Sequence, residues 1–141
     1  MKLLNKFFIA LHVFIYRKSG GKLWGKEGGR DVLLMTTIGR KTGKARVNPV
    51  CYVPDGDGYL VLASAAGAPK RPGWYWNAVK GLAPVAIQIK DSIMAVHVVE
   101  IQGDERETAY EKYKQAMGVE LINRYEKKAG IDFPLLRLTP Q

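Results

Sequence analysis

The sequence predicts an α+β fold that is mainly β: a small antiparallel barrel with helices attached at its margin. Three observations predict it. Apolar, β-rich runs recur along the chain and are separated by tight turn signals such as Asp55-Gly56-Asp57-Gly58. Helical patterns occur only at the start, after the third strand and near the end. Strands therefore do not alternate with helices, which disfavours a doubly wound parallel sheet and favours an antiparallel one.

The first element is a helix. Leu3, Leu4, Phe7, Phe8, Leu11, Phe14 and Ile15 share one broad face, and Ile9 and Val13 spill onto the other. Lys2 and Lys6 precede the apolar stretch Phe7–Tyr16, and Arg17 and Lys18 follow it. That stretch is shorter than the roughly 20 residues that cross a bilayer. Tyr16-Arg17-Lys18 is also a poor signal-cleavage site. Two uses stay open: a helix packed over the domain, or a basic-flanked helix in which residues 1–18 rest on a membrane surface. The expected location is the cytoplasm, or the inner face of the cell membrane as a peripheral protein if the second use holds.

A loop with Gly20, Gly21, Gly25, Gly28, Gly29 and Trp24 follows. Residues 31–38 read as the first strand, 45–53 as the second and 59–64 as the third. A small-residue loop, 65–71, leads to Pro72, which suits the opening of a short helix over 73–80. Residues 85–90 and 93–101 read as two further strands turning near Asp91-Ser92. Helical spacing of Tyr110, Tyr113 and Met117 marks a helix over 104–117, a second helical piece covers about 119–128, and Phe133–Leu138 closes the chain as a strand. The organisation expected is an N-terminal helix and Gly-rich loop over 1–29, then a single barrel domain over 30–141.

The bulk numbers suit one domain with one core: 141 residues, 47% hydrophobic and 25% charged. Lys plus Arg number 22 against 13 Asp plus Glu, a net charge of +9, which favours an anionic partner: a phosphorylated cofactor, an acidic lipid surface or nucleic acid. The single cysteine, Cys51, excludes an internal disulfide and a Cys-based zinc site. His12 and His97 have no spaced partner, so no metal is expected.

The most informative segment is Gly39-Arg40-Lys41-Thr42-Gly43-Lys44-Ala45-Arg46. Four cations surround a glycine-bounded turn between two strands and repel one another unless an anion sits there. Glycine lets a backbone approach such an anion closely, and Arg and Lys supply charge-assisted hydrogen bonds. In an extended strand Lys44, Arg46 and Asn48 point to one side. The alternative is a solvated, charged hairpin tip. The motif is neither a Walker loop nor a dinucleotide fingerprint, since the gap before Gly-Lys-Ser/Thr and the following helix are missing.

The second cluster is Ala63-Ser64-Ala65-Ala66-Gly67-Ala68-Pro69-Lys70-Arg71-Pro72-Gly73-Trp74-Tyr75-Trp76-Asn77. Small side chains at a strand end leave the backbone open to a flat ring system. The helix that follows begins with free N–H groups, which favour anions, and Lys70 and Arg71 add to the same field. Trp74, Tyr75 and Trp76 cannot all face inward on one helix, so at least one lines a surface or pocket. Cys51 reads most simply as a buried small hydrophobe rather than a nucleophile.

Together the segments 33–49 and 64–77 resemble the deazaflavin-dependent nitroreductase family, and the resemblance runs from about residue 30 to the end. It implies the split barrel of flavin-mononucleotide-binding oxidoreductases, with coenzyme F420 as cofactor. By family pattern Arg40, Lys41, Thr42, Gly43 and Arg46 hold the phosphate and first glutamates; Lys44, at a position variable in the family, adds charge for the tail here. Ala63, Ser64 and Ala65 run beside the ring, with Trp74, Tyr75 and Asn77 near the ring and ribityl chain and Lys70 in the surrounding field. Tyr125 matches a tyrosine over the substrate pocket. The sequence departs from the pattern in three places. Ala65 stands where a lysine often follows the serine. Cys51 stands where the nitroreductase has a substrate-facing tyrosine. Leu121 and Ile122 occupy the region of a further tyrosine. The pocket expected is thus more apolar.

The activity implied is hydride transfer from reduced F420 to a small electron-poor acceptor: a quinone, an enone or a nitroaromatic. Tyr125 is the side chain named as proton donor or orienter, beside solvent. An FMN-binding split-barrel oxidoreductase is the alternative, although the charge of Lys41, Lys44, Lys70 and Arg71 exceeds what one phosphate needs. A nucleic-acid-binding barrel is disfavoured because the aromatics cluster in a helix rather than on a sheet face. A non-enzymatic cofactor carrier at a membrane is a further rival. Monomer and homodimer both stay open.

Overall fold

A computed structural model describes residues 2–141 of the chain. Its elements are α1 (Lys2–Ser19), β1 (Lys26–Glu27), β2 (Arg30–Ile38), β3 (Ala45–Cys51), β4 (Val53–Asp55), β5 (Gly58–Leu62), a 3-10 turn (Ala65–Gly67), α2 (Gly73–Lys80), β6 (Val85–Ile89), β7 (Ser92–Glu100), α3 (Gly103–Met117), α4 (Val119–Ala129) and β8 (Leu135–Pro140). Eight strands form one sheet in the order β1-β2-β6-β7-β8-β5-β4, with β3 on the other side of β2, and every pairing is antiparallel.

The expected second strand divides at Tyr52, so that residues 45–53 belong to two strands at opposite ends of the sheet. β3 pairs with β2, whereas β4 pairs with β5. One residue joins the two ends, and the sheet must curl until they meet. This single constraint turns the open sheet into the split barrel predicted from the sequence, a mainly β curled sheet carrying four helices.

The strands alternate between two apolar surroundings. Leu33, Met35, Val61, Ile87, Leu136 and Leu138 fill the barrel interior together with Trp74 and Tyr75 of α2. Leu60, Leu62 and Leu135 point the other way and pack against Tyr113 and Met117 of α3 and Ile122 of α4. The run Val32–Met35 is buried throughout because both faces of β2 are covered.

α1 packs on the barrel through a face other than the broad one read from its periodicity. Val13 and Tyr16 meet Val32 and Leu34. The Tyr16 hydroxyl, 1% exposed as a residue, donates to the Val32 carbonyl at 3.1 Å and accepts from the Lys90 N–H at 2.8 Å. Leu3, Phe7, Phe8 and Phe14 point outward, from 82% exposed at Leu3 to 55% at Phe8. Tertiary packing selects the narrower stripe because Tyr16 brings a hydroxyl that buried backbone groups can use.

Candidate active site

β2 ends in the basic turn. Gly39 donates its N–H to the Lys44 carbonyl at 2.8 Å, and Gly43 donates to the Gly39 carbonyl at 2.7 Å. Gly43 has φ +70, and a methyl group on Gly39 would lie 2.6 Å from Thr42 Oγ1. The two glycines are thus needed, one for a left-handed turn and one for a close approach. Arg40, Lys41, Lys44 and Arg46 are all exposed, and none of them forms an ion pair among the described residues. The charge gathered here is unmet by the chain's own carboxylates.

Asn77 fixes the turn from behind. Its Oδ1 accepts the Arg40 N–H at 3.2 Å, and its Nδ2 donates to Oγ1 of the fully buried Thr37 at 3.2 Å. One helical turn earlier on α2, Trp74 lines a cavity of about 420 Å³. Pro49, Val50 and Cys51 of β3 form another wall, and Ser64, Ala65 and Ala66 a third. Tyr113, Met117, Leu121, Ile122 and Tyr125 close it from α3 and α4, and Glu27 and Arg30 stand on the side of β1 and β2.

Ala65 and Ala66 hold φ +46 and +54. Left-handed alanine costs about 1–2 kcal/mol per residue, so the segment facing the cavity is strained and held by its surroundings. Gly67, with φ +85, lets this turn press against α4.

Arg46 and Asn48 line a neighbouring groove between α1 and β3, of about 950 Å³, rather than the cavity. Ala63 is buried in the barrel interior at the end of β5. Tyr75 is 4% exposed and donates its hydroxyl to Glu100, pointing into the core and away from the cavity. Lys70 is exposed, and Arg71 stacks over Tyr75 and Trp76 at 5.3 and 5.7 Å. Burial pushes the Cys51 thiol up to about 11, helped by the Glu27 charge, while Arg30 pulls the other way. The thiol therefore stays protonated near neutrality.

Among the cavity residues not singled out from the sequence are three polar ones, Glu27, Arg30 and Tyr113. Tyr113 was legible only as a core position of α3, and Glu27 and Arg30 as polar residues flanking a glycine pair. Among the described residues no group of three or more His, Cys, Asp or Glu is placed to hold a metal.

The protein-family model described as F420H(2)-dependent quinone reductase matches residues 9–140. A quinone reductase of that description from Mycobacterium tuberculosis is 31% identical over 135 residues, covering 93% of this chain and 89% of the relative. A putative one from Mycobacterium bovis matches to the same extent. Among solved structures, an F420-H2 dependent reductase (FDR-A) is 31% identical, with a TM-score of 0.65 over 76% of this chain and 92% of that one. A haem storage protein of Vibrio cholerae, 17% identical with a TM-score of 0.53 over 94% of this chain and 90% of that one, shares the fold alone.

Proposed function

We propose, from the premise that this chain belongs to the F420H(2)-dependent quinone reductase family, that its cavity takes a quinone while its basic turn holds the acidic end of the cofactor. The chain is an oxidoreductase dependent on coenzyme F420. The carrying observation is the unpaired cationic turn joined to the cavity by two elements at once. Along β3, Ala45 at the turn and Pro49 at the cavity are four residue steps apart, about 13 Å at strand rise. Along α2, Asn77 grips the turn while Trp74 walls the cavity. A ring in the cavity with an elongated anionic arm fits that arrangement. A compact ligand leaves the cations unmet.

The residues present fit such a cofactor. Arg40, Lys41, Lys44 and Arg46 supply positive charge for a phosphate and a carboxylate tail, with Thr42 and Gly43 shaping the turn. Ser64, Ala65 and Trp74 flank a flat ring, with small side chains and open backbone on one side. When bound, the reduced deazaflavin supplies a hydride to the acceptor. The protein's own contribution is to orient the two rings and exclude water. Leu121, Ile122 and Met117 make that part of the wall apolar, and Tyr125 stands over it as proton donor or orienter.

The outward face of α1 supports contact with a membrane surface, where lipophilic quinones reside. Leu3, Phe7, Phe8 and Phe14 are exposed together, Lys6, Arg17 and Lys18 flank them, and the helix carries no acidic residue. No helix among the described residues is long and apolar enough to cross a membrane. One solved relative, 31% identical, is described as a domain-swapped dimer; for this chain both monomer and homodimer fit the reading, and light scattering separates them.

The decisive experiment is a fluorescence titration with oxidised coenzyme F420, followed by turnover of quinones, enones and nitroaromatics with the reduced form. Saturable binding and preferred quinone turnover are expected. Tight FMN binding with no F420 binding would overturn the reading. Sedimentation with anionic liposomes, with and without residues 1–18, tests the membrane contact.

A further inference from the structure

We propose that the Tyr113 hydroxyl and the Arg30 guanidinium form an oxyanion pocket in the cavity, holding the oxygen on which negative charge develops as a quinone is reduced. The inference rests on the quinone assignment above and deepens it by naming the end of the cavity that receives the reacting oxygen.

Tyr113 is 4% exposed and lines the cavity from α3. Of the other phenols, Tyr16 donates to the Val32 carbonyl, Tyr75 to Glu100 and Tyr110 to Glu126, whereas the half-buried Tyr52, Tyr59 and Tyr125 show no such bond among the described residues. The Tyr113 hydroxyl has no partner of this kind among the described residues. Yet no side-chain nitrogen or oxygen sealed inside them lacks a hydrogen bond. Both statements hold only if the hydroxyl keeps some accessible surface, and the cavity is the space that Tyr113 lines. A phenol so placed is completed by a ligand oxygen.

Burial holds the Tyr113 hydroxyl well above the usual phenol range, with Arg30 opposing slightly. The group is therefore a durable hydrogen-bond donor rather than a proton source. A neutral donor in the cavity wall is what a developing oxyanion requires.

Arg30 supplies the charge. Its Nε donates to the Met117 carbonyl at 2.5 Å and its Nη1 to the Gly28 carbonyl at 3.2 Å. Both partners are backbone carbonyls, and Arg30 forms no ion pair among the described residues. The guanidinium is thus fixed without being neutralised. Gly118 makes room for it: a methyl group there would lie 3.3 Å from Nη2.

The electron balance is simple. The quinone takes a hydride, that is two electrons and one proton, from the reduced cofactor, which is oxidised. One quinone oxygen is left as an anion, and a proton drawn from solvent, directly or by way of Tyr125, completes the hydroquinone. Tyr113 and Arg30 stabilise that anion before the proton arrives. Glu27, the exposed carboxylate on the same wall, opposes them.

The test needs no turnover. Trp74 in the cavity wall reports binding by fluorescence quenching in protein without cofactor. The two probes are 2-hydroxy-3-methyl-1,4-naphthoquinone, an oxyanion at neutral pH, and its neutral isostere 2,3-dimethyl-1,4-naphthoquinone. Wild-type protein is expected to prefer the anion. Tyr113→Phe keeps the ring and its packing and should lose about 10- to 100-fold in affinity for the anion, the range for a hydrogen bond to a charged group. Its affinity for the neutral probe should stay within about threefold. Arg30→Gln should lose the same preference, Arg30→Lys should recover much of it, and Glu27→Gln should enlarge it. In turnover, Tyr113→Phe should lower kcat about 100-fold at nearly constant KM. Equal weakening of both probes, or none, in the Tyr113→Phe protein overturns the oxyanion pocket alone. Wild-type protein that binds neither probe overturns the quinone assignment, and the oxyanion pocket falls with it.

Discussion

Gly67 lies directly against Tyr125: a methyl group on Gly67 would come within 3.2 Å of the Tyr125 Cα and 3.3 Å of its ring. The contact joins the strained turn after β5 to α4, and so sets the distance between two walls of the cavity. Gly67 also has φ +85, which other residues rarely adopt. Gly67→Ala should therefore destabilise the protein by about 1–3 kcal/mol through strain and crowding. The backbone it meets cannot swing aside, so α4 must shift, and KM for the acceptor should change while cofactor affinity holds. Urea unfolding and steady-state kinetics check both halves.

Arg40→Ala with Lys41→Ala removes two exposed cations that make no ion pair among the described residues. Stability should move by less than about 0.5 kcal/mol, as for ordinary surface changes. Affinity for oxidised coenzyme F420 should fall by at least about tenfold, given charge-assisted hydrogen bonds of about 1.5–3 kcal/mol each. Wild-type affinity in a fluorescence titration of the double variant would sink the assigned role.

Asn77→Ala should act on the same site from behind. It deletes the acceptor for the Arg40 N–H and the donor to buried Thr37. We expect weaker cofactor binding together with a stability loss of about 1–3 kcal/mol, because Thr37 is left with an unmet oxygen in the interior. Loss of stability with cofactor affinity intact would show that the turn keeps its shape unaided.

Asp55 bridges three elements. Lys112 of α3 donates to its Oδ1 at 2.8 Å and Arg137 of β8 to its Oδ2 at 2.8 Å. These hydrogen bonds, Lys112 first, hold its carboxyl below the ordinary carboxylate value. A lowered folded pKa means stability that is complete above about pH 4 and is lost as the pH falls through the lower folded value. The stability gap between wild type and Asp55→Asn should be widest at neutral pH and close below about pH 4. A gap constant down to pH 2 in urea titrations would contradict the pairing.

Cys51, held at about 11, should react slowly with iodoacetamide at neutral pH. Its alkylation rate should rise about tenfold per pH step as the thiolate fraction grows. Rapid modification at pH 7, followed by mass spectrometry, would show an environment more polar than the one described.

The split of residues 45–53 at Tyr52 shows where local reading ends. Its apolar pattern is continuous across the break, since both halves are extended; only the choice of partners, β2 for one and β5 for the other, separates them. The helix Gly73–Lys80 was legible to the residue because Pro72 and Gly81 bound it. Tyr75 was expected near the ring. The structure buries its ring against the barrel interior and sets its hydroxyl on the half-exposed Glu100 of β7.

By itself the sequence determined the mainly β class, the helix positions, the cationic turn and the anion that such a turn needs. These depend on local spacing, turn chemistry and charge, which neighbouring residues fix among themselves. Only the tertiary structure decided which face of α1 is buried, where Tyr75 points, and that Arg30 from β2 and Tyr113 from α3 share one cavity. Such choices depend on burial and on hydrogen-bond partners distant in the chain, and those come together only when the sheet curls.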